Sequence, residues 1–254
     1  MMEQQLYDIA LMLGAAMNMA MALVLVHNNY AYRYYDVYRR SRSMTALTFF
    51  VFGIGFLMHY FFHWRTEWPA AASALTVSYF HIGAVLFGWG HISLLNPFYL
   101  TRRVIIRDFS ILVAGIAIYW TSVLLYSFFT YQFIIFFLHA SYVAFVLYRT
   151  LYRVSRQTAA LPKNESNATW WTDEARTSVI NFQRSINTSC HLIILFGLGS
   201  VAITACFPND IWPYTILLIV GIGVFCYIFY ALTEYGANIE AGTNATEDVS
   251  EMNK

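Results

Sequence analysis

The sequence predicts an all-α integral membrane protein: a bundle of seven transmembrane helices, with the N-terminus outside and the C-terminus in the cytoplasm. Three observations predict this fold class: a deficit of charge, seven long apolar segments, and the side on which the basic residues fall. Of the 254 residues, 59% are hydrophobic and 11% are charged. A soluble domain carries roughly 25% charged residues, so lipid is the expected solvent for most of the chain.

Seven segments have the roughly 20 mostly apolar residues that a helix needs to cross a bilayer. They are predicted at about 9–26, 44–64, 70–95, 109–128, 132–151, 188–207 and 212–232. The fourth and fifth come from one uncharged run, Phe109–Tyr148, which is about twice the length of a single crossing. This run must turn back, and the polar residues within Ser127–Gln132 mark the predicted turn. The sequence thus divides into a membrane domain, 1–235, and a polar acidic tail, 236–254.

The flanks of the segments support these assignments. The first segment exceeds the roughly 7–15 apolar residues of a signal-peptide core, so we expect it to remain as a helix. The third ends at Asn96–Pro97, a dipeptide typical of a turn. Before the sixth segment, one predicted helical stripe consists of Trp171, Ala175, Val179, Phe182 and Ile186. That stripe predicts an amphipathic lead-in that lies at the membrane surface.

The basic residues predict the orientation of the bundle. All of the 15 Lys and Arg residues except Arg65 lie after the first, third, fifth or seventh segment. The positive-inside rule places these connections in the cytoplasm. We therefore expect a multi-pass protein of the cell's inner (plasma) membrane, with short connections on the outside.

Several function classes lose support from what the sequence lacks. The only lysines, Lys163 and Lys254, lie outside the segments, which excludes a rhodopsin-type pigment with a buried Schiff base. Asp8, Asp108 and Glu234 are predicted at segment ends, whereas pumps and ion-coupled transporters usually carry carboxylates within the membrane. No nucleophile–base pair and no metal-ligand cluster is evident, so neither catalytic residues nor a metal site is predicted. A net charge of +1 gives no attraction to nucleic acid.

All seven histidines lie in or beside a segment, which makes histidine the polar residue of greatest interest. His59 lies about 9 Å from the outer end of its segment at ~1.5 Å per residue, and its expected partner by depth is His139. His63, one turn further out, is expected in the aromatic belt at the headgroups. A small polar ligand pocket open to the outside is predicted from Asn18, His59, His81 and His139. In the alternative interpretation, neutral histidines simply hydrogen-bond between helices.

A second alternative is a b-type haem protein in which imidazoles from two helices ligate the iron. Matching depths allow two such pairs, His59 with His139 and His91 with His191. This alternative requires haem b, whereas the ligand-pocket interpretation requires no cofactor.

The stretch YRRSRSMTALTFFVFGIGFLMHYFFHWR, residues 38–65, combines a basic loop with an aromatic helix that contains Gly-x-Gly. It resembles the start of the seven-helix membrane modules of bacterial sensor-regulators, of the histidine-kinase or AraC type. The resemblance covers the first three segments. It implies a sensor, and because we expect no output domain after the seventh segment, signalling would need a separate cytoplasmic partner. The predicted contact sites for that partner are the loops 28–43 and 152–187.

The sequence therefore favours a receptor-like or sensor module that binds a small or hydrophobic ligand and signals through its cytoplasmic loops. A haem electron carrier and a small-solute permease remain as alternatives from other classes. An enzyme is disfavoured, and the oligomeric state is left open.

Overall fold

The computed structural model describes residues 2–126, 133–159 and 173–252. Within these ranges the chain is helical and has no strand. The helices are α1 (Met2–His27), α2 (Asp36–Phe62), the short α3 (Trp64–Glu67), α4 (Pro69–Leu95), α5 (Arg102–Tyr126), α6 (Ile134–Ala159), α7 (Asp173–Cys206) and α8 (Ile211–Met252). A single 3₁₀ turn, Asn28–Tyr30, follows α1.

Every helix in the described part of the chain except α3 is long and apolar enough to cross a membrane. The prediction of seven spanning helices is thus confirmed, and the chain has the architecture of a multi-pass membrane protein. The predicted turn at Ser127–Gln132 lies outside the described residues, as do Trp170 and Trp171 of the predicted lead-in. From Asp173 onward, the lead-in and the sixth span form the single helix α7.

Two helices begin before the spans that the sequence predicts. α2 begins at Asp36 rather than near 44, and α5 begins at Arg102 rather than near 109. Arginines that the sequence analysis assigned to loops are therefore helical, because a helix continues through charged residues whose long side chains can reach water or a polar partner. As a consequence, Asp108 lies a full turn and a half inside α5, not at its end.

Helix α4 forms the centre of the bundle and packs against α2, α5, α6 and α7. In its most apolar window 83% of residues are buried, whereas the corresponding value is 28% for α5, α6 and α7. Small residues in the run PAAASALTVS and at its glycines allow neighbouring helices to approach closely. At Gly83, for instance, a Cβ atom would lie 2.6 Å from Cζ of Phe52, which leaves no room for a side chain.

Helix α1 packs between α2 and α8, and α7 packs against α8. Between these helices and α4, an aromatic core fills the buried face of α2, where Phe52 stacks on Phe225 at 4.9 Å and packs edge-on against Tyr79 at 5.7 Å. This apolar layer lies between two polar ends of the bundle. Arg42 is buried at the end where α1 terminates, and Arg65 is buried at the end where α1 begins.

Candidate functional site

The break between α2 and α3 turns Arg65 into the bundle. His63 adopts φ 48° and ψ 28°, and it is the only non-glycine residue with a positive φ in the described ranges. Its carbonyl accepts hydrogen bonds from the backbone N–H groups of Thr66 and Glu67, both at 3.0 Å. This left-handed turn ends α2 and starts α3, and it leaves the Arg65 side chain only 2% exposed.

The buried guanidinium group is held by neutral partners. Nη1 of Arg65 donates to Oγ of Ser73 at 3.1 Å and to the carbonyl of Pro208 at 3.2 Å. Nη2 donates to Oγ1 of Thr76 at 3.1 Å. The guanidinium carbon lies 3.5 Å from the ring centroid of Tyr214 in a cation–π contact. No carboxylate of the described chain forms an ion pair with Arg65.

His59 joins this group through Thr76. Its Nε2 lies 3.0 Å from Oγ1 of Thr76. The Thr76 hydroxyl donates its hydrogen to the carbonyl of Ala72, so it must accept from His59, and His59 carries its proton on Nε2. We call Arg65, His59, Ser73, Thr76 and Tyr214 the Arg65 site.

Three buried polar atoms of the Arg65 site have no hydrogen-bond partner among the described residues: Nε of Arg65, Nδ1 of His59 and the hydroxyl of Tyr214. Tyr214 also lines a cavity of about 10 Å³, together with Tyr7, Thr76, Tyr79 and apolar side chains. A cavity of about this size holds one water molecule. The site therefore has two unused donors and one unused acceptor, and one of these donors belongs to a residue that lines a space for a very small group.

The structure distributes the four predicted pocket residues over three places. His59 belongs to the Arg65 site, whereas Nε2 of His81 lies 2.8 Å from Nδ1 of His139. Asn18 donates Nδ2–H to the carbonyl of Gly14 on its own helix, at 2.8 Å. Only His59, therefore, shares a site with the buried arginine, which the sequence analysis treated as an interfacial residue.

The histidine pairs expected from depth are not formed. His139 contacts His81 instead of His59, because the first turns of α6 lie beside the middle of α4, where Phe136 packs 5.3 Å from the His81 ring. His91 and His191 each hydrogen-bond through Nδ1 to a carbonyl one turn earlier in their own helices, at 3.2 and 2.6 Å. The two rings make no contact with each other in the described structure, and haem ligation stays a prediction.

A second buried polar cluster lies between α4, α5 and α6. Nδ1 of His81 is 3.0 Å from the hydroxyl of Tyr119, and Nε2 of His139 is 3.5 Å from Oδ1 of Asp108. Asp108 is 1% exposed and accepts hydrogen bonds from Nε1 of Trp89 at 2.9 Å and Nε of Arg107 at 2.7 Å. We call Tyr119, His81, His139 and Asp108 the relay cluster.

Burial of three polar residues, Asp108, Tyr119 and Arg65, was not predicted from the sequence. Asp108 directly precedes the uncharged run, and that position suggested a residue at the membrane edge. One usable signal existed for Tyr119: Gly115 lies one turn before it, and a Cβ there would be 3.0 Å from both Cε1 of His81 and the Tyr119 hydroxyl. No comparable signal marks Arg65, whose burial depends on the turn at His63.

Comparison with known proteins gives no match: no family model fits the sequence, and no curated protein or solved structure is significantly similar to it. Among the described residues, no group of three or more His, Cys, Asp or Glu side chains is arranged to hold a metal ion. The two polar sites must therefore be interpreted from their own geometry.

Proposed function

We propose that the protein is a membrane receptor that binds a small anionic ligand at the Arg65 site. One observation carries the proposal: a charged side chain that is 2% exposed has only neutral partners in the described chain, and two of these, Thr76 and Tyr214, line a small cavity. Burying an unpaired charge costs several kcal/mol, and ionisable residues within a membrane protein are retained mainly where they have a function. An anionic ligand would supply the missing opposite charge.

The unused donors indicate how such a ligand would bind. Nε of Arg65 and the Tyr214 hydroxyl can both donate to an anion, and hydrogen bonds to a charged group are the strong ones. The cavity of about 10 Å³ limits the ligand to a small ion. A ligand that draws the guanidinium toward itself would weaken its bonds to Ser73 and Pro208.

The same contacts suggest a route from binding to signalling. Arg65 connects Ser73 of α4 to Pro208 in the α7–α8 connection, and it stacks on Tyr214 of α8. If Arg65 gave up these contacts to bind the ligand, α8 would shift relative to α4, as in other helix-shift switches. Ligand affinity must differ between the two arrangements for binding to shift their populations.

The proposed setting is a bacterial inner membrane with the Arg65 site facing outward, as the distribution of basic residues predicts. A cytoplasmic partner would then meet the opposite end of the bundle at 28–43 and 152–187. This is the arrangement that the resemblance to sensor-regulator modules implies, with the output carried by a separate protein.

A small-solute permease is the second candidate, and the buried charge of Asp108 favours it. The lack of carboxylates within the membrane was the main argument against this class, and Asp108 removes that argument. Uptake of a labelled small anion into proteoliposomes would distinguish a permease from a receptor, because a receptor binds the ion without accumulating it.

Thermal unfolding in nanodiscs, followed by tryptophan fluorescence, tests the anion site. Sodium salts of chloride, formate and acetate are compared with sodium gluconate at equal ionic strength, so that only the anion changes. A ligand at about 100 times its Kd stabilises the folded protein by about 2.7 kcal/mol. We expect at least one small anion to raise Tm in the unmodified protein, and we expect Arg65→Met to abolish that shift.

Arg42→Gln is the matched control, because Arg42 is also 2% exposed but lies at the other end of the bundle. Its own Tm will be lower, yet the anion-dependent increase should persist. A Tm that does not respond to any small anion, or a response that survives Arg65→Met, would contradict the proposal.

A further inference from the structure

Four titratable side chains from three helices form a continuous chain inside the bundle. From Tyr119, the path runs to Nδ1 of His81 at 3.0 Å and from Nε2 of His81 to Nδ1 of His139 at 2.8 Å. The last step, from Nε2 of His139 to Oδ1 of Asp108, is 3.5 Å. We propose that this relay cluster is a proton relay, which exchanges protons between the centre of the bundle and the Asp108 end of α5.

The hydrogen positions follow from the partners of Asp108. Trp89 and Arg107 can only donate, so the carboxyl group that faces both is an ionised acceptor. Nε2 of His139 has no hydrogen-bond partner in the described structure, and Asp108 is the acceptor nearest to it. A hydrogen on this nitrogen therefore points toward the carboxylate, and Nδ1 of His139 is left as an acceptor.

The remaining links then have one arrangement with neutral rings. Nδ1 of His139 accepts from Nε2–H of His81, and Nδ1 of His81 accepts from the hydroxyl of Tyr119. Every hydrogen in the cluster is donated in the direction of Asp108. Such a uniformly oriented chain is what proton transfer by successive hops requires.

One proton passes along the cluster from Tyr119 to Asp108 in three steps. A proton binds the oxygen of Tyr119 while the original phenolic proton moves to Nδ1 of His81. The Nε2 proton of His81 passes to Nδ1 of His139, and the Nε2 proton of His139 passes to Asp108. One proton enters at Tyr119 and one neutralises the carboxylate, so only O–H and N–H bonds are exchanged.

The step between His139 and Asp108 is the open link of the chain. Its 3.5 Å exceeds the roughly 2.7–2.9 Å of a charge-assisted hydrogen bond. A small rotation of the carboxylate would close it, at the expense of the contacts to Trp89 and Arg107. Proton passage therefore depends on the position of these two side chains.

The two ends of the relay cluster lie in different surroundings. Tyr119 is fully buried and packs near Phe133, whereas Arg107 beside Asp108 donates to the hydroxyl of the exposed Tyr142 at 2.8 Å. Beyond them, in the α4–α5 connection, burial and the charge of Asp108 raise the pKa of Tyr99 to about 12, so this phenol stays protonated at neutral pH. The Asp108 end of the relay cluster therefore lies near that connection.

Space at the buried end is provided by Gly115. A Cβ atom at this position would lie 3.0 Å from both Cε1 of His81 and the Tyr119 hydroxyl. The glycine lets the ring and the phenol approach closely enough to share a hydrogen. The relay cluster shares no residue with the Arg65 site, so the two proposals can fail separately.

Solid-state NMR of the ¹⁵N-histidine-labelled protein in lipid bilayers tests the relay. We expect His81 and His139 both to carry hydrogen on Nε2 at neutral pH. His191 serves as the internal control, because its Nδ1 bonds to a carbonyl of its own helix and must therefore carry the hydrogen. A hydrogen on Nδ1 of His81 or His139 would overturn the proposal.

Two variants distinguish a relay from a static network. Asp108→Asn should change the spectrum of His81, two links away, as well as that of His139. Tyr119→Phe should likewise change the spectrum of His139, two links away. This variant keeps the aromatic ring that packs in the core, so it tests the relay even if Asp108→Asn does not fold. If a folded variant changed only the spectrum of the histidine next to the substituted residue, the cluster would be a static hydrogen-bond network and the proposal would be wrong.

Discussion

Among the residues whose burial the structure describes, two arginines are buried, one near each end of the bundle, and they differ in what surrounds their charge. Arg42 and Arg65 are both 2% exposed, and both place the guanidinium over a tyrosine ring. Tyr7, near Arg65, and Leu25, bound to Arg42, are 18 residues apart on α1, or about 27 Å at 1.5 Å per residue. The sequence analysis assigned the two arginines to opposite sides of the membrane but treated both as topological signals.

Arg42 is compensated in part by the fold itself, although its Nε, like that of Arg65, has no hydrogen-bond partner in the described structure. Nη2 donates to the carbonyl of Leu25 at 3.0 Å, within the last turn of α1, where the free carbonyls carry partial negative charge. Nη1 lies 3.3 Å from the hydroxyl of Tyr38, which in turn donates to the carbonyl of Leu232 on α8 at 2.7 Å. The arginine therefore joins α1, α2 and α8, and a second role is not needed to explain its burial.

Arg65 differs in that its acceptors are two hydroxyl groups and a carbonyl in a connection between helices, and its partners Thr76 and Tyr214 line a cavity. Its neighbours His59 and Tyr214 also leave a buried polar atom unpaired. The difference teaches that burial alone does not indicate function. The informative feature is a cavity lined by the partners of a buried charge, one of which has a hydroxyl group without a hydrogen-bond partner.

The largest expected effect that would separate the two sites comes from Arg42→Leu. This change leaves the carbonyl of Leu25 unpaired and removes the contacts with Tyr32 and Tyr38, so we expect a loss of about 3 kcal/mol in unfolding free energy. Arg65→Leu should cost clearly less in the absence of a bound anion, since a buried unpaired charge is removed with it. Thermal unfolding in detergent measures both, and equal losses would mean that the two arginines have the same structural role.

Gly236→Ala tests the Arg42 end from the side of α8. A Cβ at Gly236 would collide with the hydroxyl of Tyr38 and lie 2.8 Å from that of Tyr32. We expect the displaced rings to reduce stability by about 2 kcal/mol. Gly223→Ala is the control on the same helix, because nothing lies within 4 Å of its added Cβ. If the two variants unfolded at the same temperature, the tyrosines would not be held as described.

Tyr214→Phe tests the Arg65 end without removing its ring contact. The Tyr214 hydroxyl has no partner in the described structure, so its loss should change the stability of the anion-free protein by less than about 0.5 kcal/mol. One hydrogen bond to the ligand would be lost, which weakens anion binding by about 1.5 kcal/mol, or roughly tenfold in Kd. The anion concentration needed to raise Tm measures this change, and unchanged affinity would exclude Tyr214 as a ligand-binding group.

The smallest expected effect concerns the turn that positions Arg65. His63 has φ 48°, a conformation that glycine adopts without steric cost. We expect His63→Gly to be more stable than His63→Ala by about 1 kcal/mol, because alanine keeps the strain of the left-handed backbone. Both variants remove the imidazole ring, so their difference in Tm measures the cost of the left-handed backbone conformation alone. A more stable alanine variant would show that the left-handed turn is not maintained.

The spans were predictable because each depends on local composition over about 20 residues. The starts of α2 and α5 were not, since Arg42 and Asp108 are charged and their burial depends on partners such as Leu25 and Trp89 from other helices. The partners of the histidines were missed for a related reason. Depth along a helix restricts which residues can meet, but the rotation of each helix about its axis decides which ones do.

The sequence by itself determined that the chain forms seven long apolar helices, because hydropathy and helix length act within a single segment. Only the tertiary structure decided that α4 lies at the centre, that His81 meets His139 rather than His59, and that Arg65 is buried without an acid. These features depend on how helices rotate and pack against one another, and small residues such as Gly83 and Gly115 select that packing by allowing close contact. The charge that remains unpaired at Arg65 is thus a property of the assembled bundle and of no single segment.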